Sequence, residues 1–173
     1  MIVVGTTPGR EEWLGQCLRS INFPVLVLSN FTYELGKINW VFHNTNIDRF
    51  MFLQDSVVVK DERLFDLVFN DKGSISLSND PCFYGMFMGV YERQHLAKID
   101  IPIPKSKAES IALELSWTDK YCQAAKNVRL AFTDFKDSNS KRQETIFGRL
   151  NLVIENDFLI KYKGNWGQKP PLD

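Results

Sequence analysis

Cysteine and histidine are scarce in this 173-residue chain: Cys17, Cys82 and Cys122 are the three cysteines, and His43 and His95 the two histidines. The cysteines are far apart, odd in number and without a C-x-x-C spacing, which excludes a disulfide framework and a zinc cage and points to a reducing compartment. Two histidines leave little material for a metal site or an imidazole relay, and both read as surface or packed residues. Net charge is also absent. Lys plus Arg and Asp plus Glu both total 21, so no bulk field draws in a nucleic-acid backbone or an anionic membrane. No stretch approaches the ~20 apolar residues of a membrane span, and the opening Met1-Ile2-Val3-Val4-Gly5 carries no basic leader. The expectation is a cytoplasmic protein with no nucleic-acid partner and no membrane span. Neither G-x-G-x-x-G nor G-x-x-x-x-G-K-[ST] occurs, which disfavours an ordinary dinucleotide or P-loop site.

What the chain does have is 44% hydrophobic and 13% aromatic residues, the composition of a globular protein. At this length roughly two thirds of the unfolded surface can be buried without staples. With no internal repeat or linker, residues 1–173 read as a single domain.

Short apolar runs alternate with amphipathic segments. Ile2 to Val4 reads as a buried strand breaking at Gly5-Thr6-Thr7-Pro8-Gly9, followed by a helix whose apolar face is Trp13, Leu14, Cys17, Leu18 and Ile21. Val25 to Leu28 is a second strand, Leu35 to Phe42 a second helix, Phe50 to Leu53 a third strand, and Val57 to Val59 its continuation or a short extra one. Asp61 caps a helix to about Phe69; Ser74 to Leu77 and Tyr84 to Tyr91 are strands. Ser106 and Glu109 have capping-box spacing ahead of a helix. Val128 to Phe132 is a strand, 134–142 a mobile loop, Thr145 to Ile154 a helix, and 158–173 a C-terminal tail opening on an apolar and basic alternation. The order implies an open α/β fold with a mainly parallel sheet.

In such a sheet ligands bind beyond the carboxyl ends of the strands, which gathers Thr6 to Arg10, Ser29-Asn30 and Gln54-Asp55-Ser56. The first segment presents amides and Arg10 to a nucleotide, or its threonines only cap. Asp55 is the sharpest local signal, since a carboxylate directly after a buried strand needs solvent, a donor or a cation. It is either a ligand of a divalent metal on a diphosphate or a turn aspartate bonding its neighbours. Tyr84-Gly85-Met86-Phe87-Met88-Gly89 reads as core, or as a strand whose glycines admit a sugar.

Taken in order, Ile2 to Arg10, Val25 to Asn30, Gly36-Lys37-Ile38-Asn39 and Phe52-Leu53-Gln54-Asp55-Ser56 resemble the nucleotide-diphospho-sugar glycosyltransferases of the GT-A fold, in particular compact, family-2-like enzymes of phage or bacterial type. The resemblance covers most of the first 120 residues. It implies a single-domain, Rossmann-like three-layer sandwich with a mixed, mainly parallel sheet, and transfer of a sugar from a nucleoside diphosphate, UDP-linked, to a hydroxyl-bearing glycan or protein acceptor. It implies that Thr6, Arg10 and Asn30 hold the nucleoside. Lys37, Asn39, Gln54 and Asp55 would hold the diphosphate, with Asp55 as ligand of Mg²⁺ or Mn²⁺. Lys163 and Trp166 would lie in a tail that closes over the donor. Gln54 and Ser56 stand where the family's metal motif carries acids, so a metal-free site neutralised by Lys37, Lys161 or Lys163 is the rival. Ala108-Glu109-Ser110 resembles the family's acidic segment at a helix start, which makes Glu109 the catalytic base of an inverting reaction or merely a capping residue, with Glu114 a less favoured substitute. The other readings are a non-catalytic sugar-nucleotide or protein-binding module on the same fold, and a nucleotidyltransferase, which needs more metal-binding acids than the Gln54-Asp55-Ser56 trio has.

Overall fold

In the computed structural model, which describes residues 1–77, 86, 88–132 and 152–162, the opening apolar run becomes β1 (Ile2–Thr6), buried at every position. A strand apolar on both faces needs a layer on each side. Its alternation addresses two cores: Ile2 and Val4 belong to one cluster and Val3 to the other. The chain continues through α1 (Glu11–Arg19), β2 (Val25–Ser29), α2 (Tyr33–Asn44) and β3 (Arg49–Gln54). β1 pairs in parallel with β2 on one side and with β3 on the other. Because the path reverses across β1, right-handed crossovers place α1 and α2 on opposite faces. Cys17 of α1 accordingly packs with Ile2 and Val4, whereas Leu35, Ile38 and Val41 of α2 pack with Val3.

With β5 (Ser74–Ser76), β6 (Gly89–Glu92) and β7 (Val128–Leu130), the main sheet has six strands in the order β2-β1-β3-β6-β5-β7. β6 runs antiparallel to both neighbours, while β5 and β7 are parallel. This is an α/β, Rossmann-like sandwich around a mainly parallel mixed sheet. On the α2 face lie α4 (Arg93–Leu96) and α5 (Lys107–Ala125), whose Leu96, Trp117 and Tyr121 bury Phe50, Phe52 and Tyr91. On the α1 face lie a 3₁₀ turn (Glu62–Phe65) and α3 (Asp66–Phe69), which contribute Leu64, Phe65 and Val68.

Two caps follow the sequence reading. The Asp61 carboxylate accepts the Arg63 amide at 2.9 Å, and the Ser106 hydroxyl accepts the Glu109 amide at 3.1 Å. Of the two readings of Val57 to Val59 the short extra strand is the one that forms: β4 (Val57–Val59) pairs antiparallel with β9 (Leu159–Tyr162), which also pairs with β8 (Leu152–Glu155) in a separate three-stranded sheet. The helix expected over Thr145–Ile154 is therefore corrected at its C-terminal end, where Leu152 opens a strand. A short apolar run fits either period, and pairing with β9 decides it. The strand expected from Tyr84 begins only at Gly89, and Tyr84, Gly85 and Phe87 lie outside the described residues. The tail expected from residue 158 is, over Leu159–Tyr162, the middle strand of the small sheet. The loop 134–142, Lys163 and Trp166 lie outside the described residues.

β6 can enter the sheet against β5 because Gly89 has no side chain. A Cβ there would meet the Ile75 carbonyl oxygen at 2.5 Å, and a paired backbone atom cannot yield as a side-chain tip can. Gly89→Ala is expected to lower unfolding free energy by about 1–3 kcal/mol, the cost of overpacking a closed core, read from urea denaturation. Wild-type stability would mean that β6 sits further from β5.

Candidate functional site

A cleft of roughly 220 Å³ opens at the carboxyl ends of β1 and β3, where the strand order reverses. That crevice is the usual ligand position in an open α/β sheet. Gly5, Thr6, Thr7 and Arg10 line one wall, Gln54, Asp55 and Ser56 a second, Tyr33, Glu34 and Lys37 of the first turns of α2 a third, and Lys161 of β9 closes it.

The walls are tied together at Asp55. Its Oδ2 accepts the Thr6 hydroxyl at 2.7 Å and Arg10 Nε at 2.6 Å, and its Oδ1 accepts Arg10 Nη2 at 2.6 Å. This is a bidentate fork, the strongest form of carboxylate recognition. It is also buried, the Arg10 and Asp55 side chains being 10% and 5% exposed. The Arg10 guanidinium lies 5.6 Å from the Trp13 ring centroid, so an aromatic one turn away helps fix its plane. The Asp55 amide donates to the Gly5 carbonyl at 3.0 Å, which continues the β1–β3 pairing to the residue that bears the carboxylate.

The other cations come from different layers. Lys161 is buried, and its Nζ donates to the Ser56 hydroxyl at 2.5 Å and the Tyr162 carbonyl at 2.6 Å. Burial pulls its pKa down to about 8, a shift opposed by Asp55 and Glu34. Lys37 Nζ donates to the Asn30 and Tyr33 carbonyls at 3.3 and 3.2 Å, and burial lowers its pKa. Gly5 makes room for this lysine: a Cβ would lie 2.8 Å from Lys37 Cδ and 2.5 Å from Phe52 Cζ. Cys17, buried in the core on the α1 side, does not line the cleft, and burial pushes its thiol up to about 12, which keeps it out of nucleophilic chemistry.

Thr6, Arg10, Lys37, Gln54 and Asp55 thus converge as the order of segments implied. Asn30 does not line the cleft; its Oδ1 accepts the Thr32 amide and hydroxyl at 3.1 and 2.6 Å and shapes the turn into α2. Asn39 lies on another face of α2 from Lys37 and donates to the Ile101 carbonyl at 2.6 Å. Glu109 is exposed at the start of α5, with Oε2 accepting the Lys105 amide at 2.7 Å. It performs the capping half of its expected roles and does not line the cleft. Tyr33 and Glu34 were not singled out by sequence. The signal for them is spacing, since residues 33, 34 and 37 share one helix face. Glu34 Oε1 accepts the Gln54 amide at 2.7 Å, and Tyr33 holds φ 56°, a left-handed value uncommon outside glycine.

Asp55, Gln54 and Ser56 do not fit a divalent cation. Both Asp55 oxygens are occupied by Arg10 and Thr6, the Gln54 amide points a donor at Glu34, and the Ser56 hydroxyl faces an ammonium. Mg²⁺ and Mn²⁺ take several oxygen ligands, and among the described residues no three His, Cys, Asp or Glu side chains are grouped to hold one.

Two outcomes follow. Asp55→Asn leaves the Arg10 charge buried without its counter-ion and is expected to cost about 3–5 kcal/mol of stability, against little if the carboxylate were a solvated turn residue; chemical denaturation separates the two. For Lys161, the unfolded side chain holds its proton to a higher pH than the folded one, so between pH 8 and about 10.4 the unfolded state binds more protons and stability rises with pH. Relative to Lys161→Met, wild type is expected to gain about 1 kcal/mol or more between pH 7 and pH 10, and a flat difference would mean an ordinary exposed lysine. As for known relatives, no family model matches the chain, and no curated protein is significantly similar to it.

Proposed function

We propose that the cleft binds the diphosphate of a nucleoside-diphosphate sugar and that the chain is a glycosyltransferase acting on a hydroxyl acceptor. The observation that carries this reading is the convergence of Arg10, Lys37 and Lys161 from three layers on the switch-point crevice. The ordered resemblance of Ile2 to Ser56 to GT-A enzymes, and a mixed sheet with one antiparallel strand among parallel ones, support the same assignment.

On this reading the acceptor oxygen attacks the anomeric carbon, the bond from that carbon to the diphosphate oxygen breaks with its electron pair, and the departing diphosphate gains charge beside Lys37 and Lys161. Cations already in place where charge develops lower the barrier without reorganising. Tyr33, a lining residue, is the aromatic that would take the base. The acceptor proton goes to a carboxylate, and Glu34 is the acidic lining residue outside the Arg10 fork. Glu109, the base implied by the resemblance, lies away from the lining.

That placement of Glu109 favours a second reading, a non-catalytic module that binds the same donor. A panel of UDP-, GDP- and dTDP-sugars separates the two. A ligand at 100 times its Kd raises stability by about 2.7 kcal/mol, so donor binding is read by thermal shift and turnover by release of nucleoside diphosphate in the same samples. For the enzyme, Glu34→Gln is expected to lose roughly 10²–10⁴-fold in turnover with donor binding kept, while Glu109→Gln stays within about twofold, as a preserved cap allows. Binding without turnover assigns the module, and no shift with any donor rejects both readings.

A further inference from the structure

We propose that the Arg10–Lys37–Lys161 set takes the place of a divalent cation, so that this cleft binds a diphosphate group without metal. The inference rests on the donor reading above and adds how its charge is met.

Counting formal charges among the described lining residues, three cations (Arg10, Lys37, Lys161) against two carboxylates (Glu34, Asp55) leave +1. One aspartate holding one divalent ion would leave the same +1. The protein reaches that balance with fixed groups, and the geometry keeps a metal from adding to it. Entry of Mg²⁺ at Asp55 has to displace or crowd the Arg10 fork, which engages both oxygens at 2.6 Å each, and brings a double charge beside a guanidinium and within the same small cleft as two ammonium groups. Like charges in a partly dry cleft repel several-fold more strongly than in water. Arg10 is at once the cation that completes Asp55 and the obstacle to its use as a ligand.

The three cations all line the cleft and are anchored independently of one another. Lys37 is anchored on carbonyls of the β2–α2 turn, Lys161 on Ser56 and the β9 backbone, and Arg10 on Asp55. Each is held by its own acceptors, so their relative positions are set before a ligand arrives, and the entropy of gathering long side chains around the anion is already spent.

The test uses the full chain with inorganic pyrophosphate and with UDP as probes, titrated calorimetrically in EDTA and in Mg²⁺ or Mn²⁺. The expected result is binding in EDTA with an affinity within about threefold of that with metal. Arg10→Ala is expected to weaken EDTA-resistant binding tenfold or more and, with Asp55 released, to make binding respond to Mn²⁺. Lys37→Met should weaken EDTA-resistant binding similarly and tests the set should Arg10→Ala fail to fold. A wild-type affinity that rises tenfold or more on adding metal, or Mn²⁺ alone binding the ligand-free protein by paramagnetic resonance, overturns the proposal while leaving the donor reading intact. Affinity unchanged by both variants overturns it as well. No binding of pyrophosphate or UDP under any of these conditions, together with no thermal shift from any sugar of the donor panel, overturns both.

Discussion

The fork between Arg10 and Asp55 is the interaction on which the site's architecture depends. It joins the loop after β1 to the turn after β3, the two places where a doubly wound chain leaves its crevice, and it does so with side chains that are almost wholly buried. A buried pair is weak evidence for stability, since apolar residues of similar volume often do as well. Its value here is positional. With both oxygens of Asp55 assigned, the β3–β4 turn has one orientation, and that orientation aims Ser56 at Lys161 and Gln54 at Glu34. Strand β9 is in turn registered on β4, with Val57 opposite Lys161, so the small sheet inherits its place from the same turn.

Much of this was legible in the sequence, for identifiable reasons. β1, β2, β3 and the helices between them are short-range objects: an apolar run ending in glycine, or a face repeating every three to four residues, reports its own structure. The direction reversal that makes the crevice then follows from chain order and crossover handedness, which is why Thr6, Arg10, Gln54 and Asp55 are gathered by sequence, together with Asn30, which turns out to shape the next turn instead; Lys37 is implied only by the family resemblance. What the segments could not report was which partner each polar group would choose. A carboxylate after a buried strand needs solvent, a donor or a cation, and the sequence left a metal ligand and a turn aspartate open, neither of which is the partner it takes. Arg10 answers that demand from a position 45 residues away.

Elsewhere the limits have the same origin. Leu152 to Glu155 is an apolar run compatible with a helix or a strand, and only its pairing partner, β9, selects the strand. Glu109 satisfied two patterns at once, the capping box and an acid at a helix start. The cap needs only local geometry, whereas the base needs proximity to a cleft that the local pattern does not encode. Tyr33 illustrates the converse. Its left-handed backbone is not predictable from residue type; it sits in a turn where Asn30 Oδ1 accepts the Thr32 amide and Lys37 donates to the Asn30 and Tyr33 carbonyls.

Carrying positive charge on side chains imposes a constraint that a bound ion does not. A metal arrives after folding and brings its own charge, but a buried lysine must be desolvated in every folded molecule, whether or not an anion is present. The depressed proton affinities of Lys37 and Lys161 record that cost, and the carboxylates of Glu34 and Asp55 partly offset it. The same carboxylates would repel an incoming diphosphate if they were unpaired. Asp55 is bound by Arg10 and Glu34 by Gln54, so on the proposed reading each supports the lysines without facing the diphosphate as a bare anion. The glutamine that stands where the resembled family carries an acid fits the proposed reading: an aspartate or glutamate at position 54 would turn the donated hydrogen bond to Glu34 into repulsion between like charges and cancel the positive balance of the described lining residues.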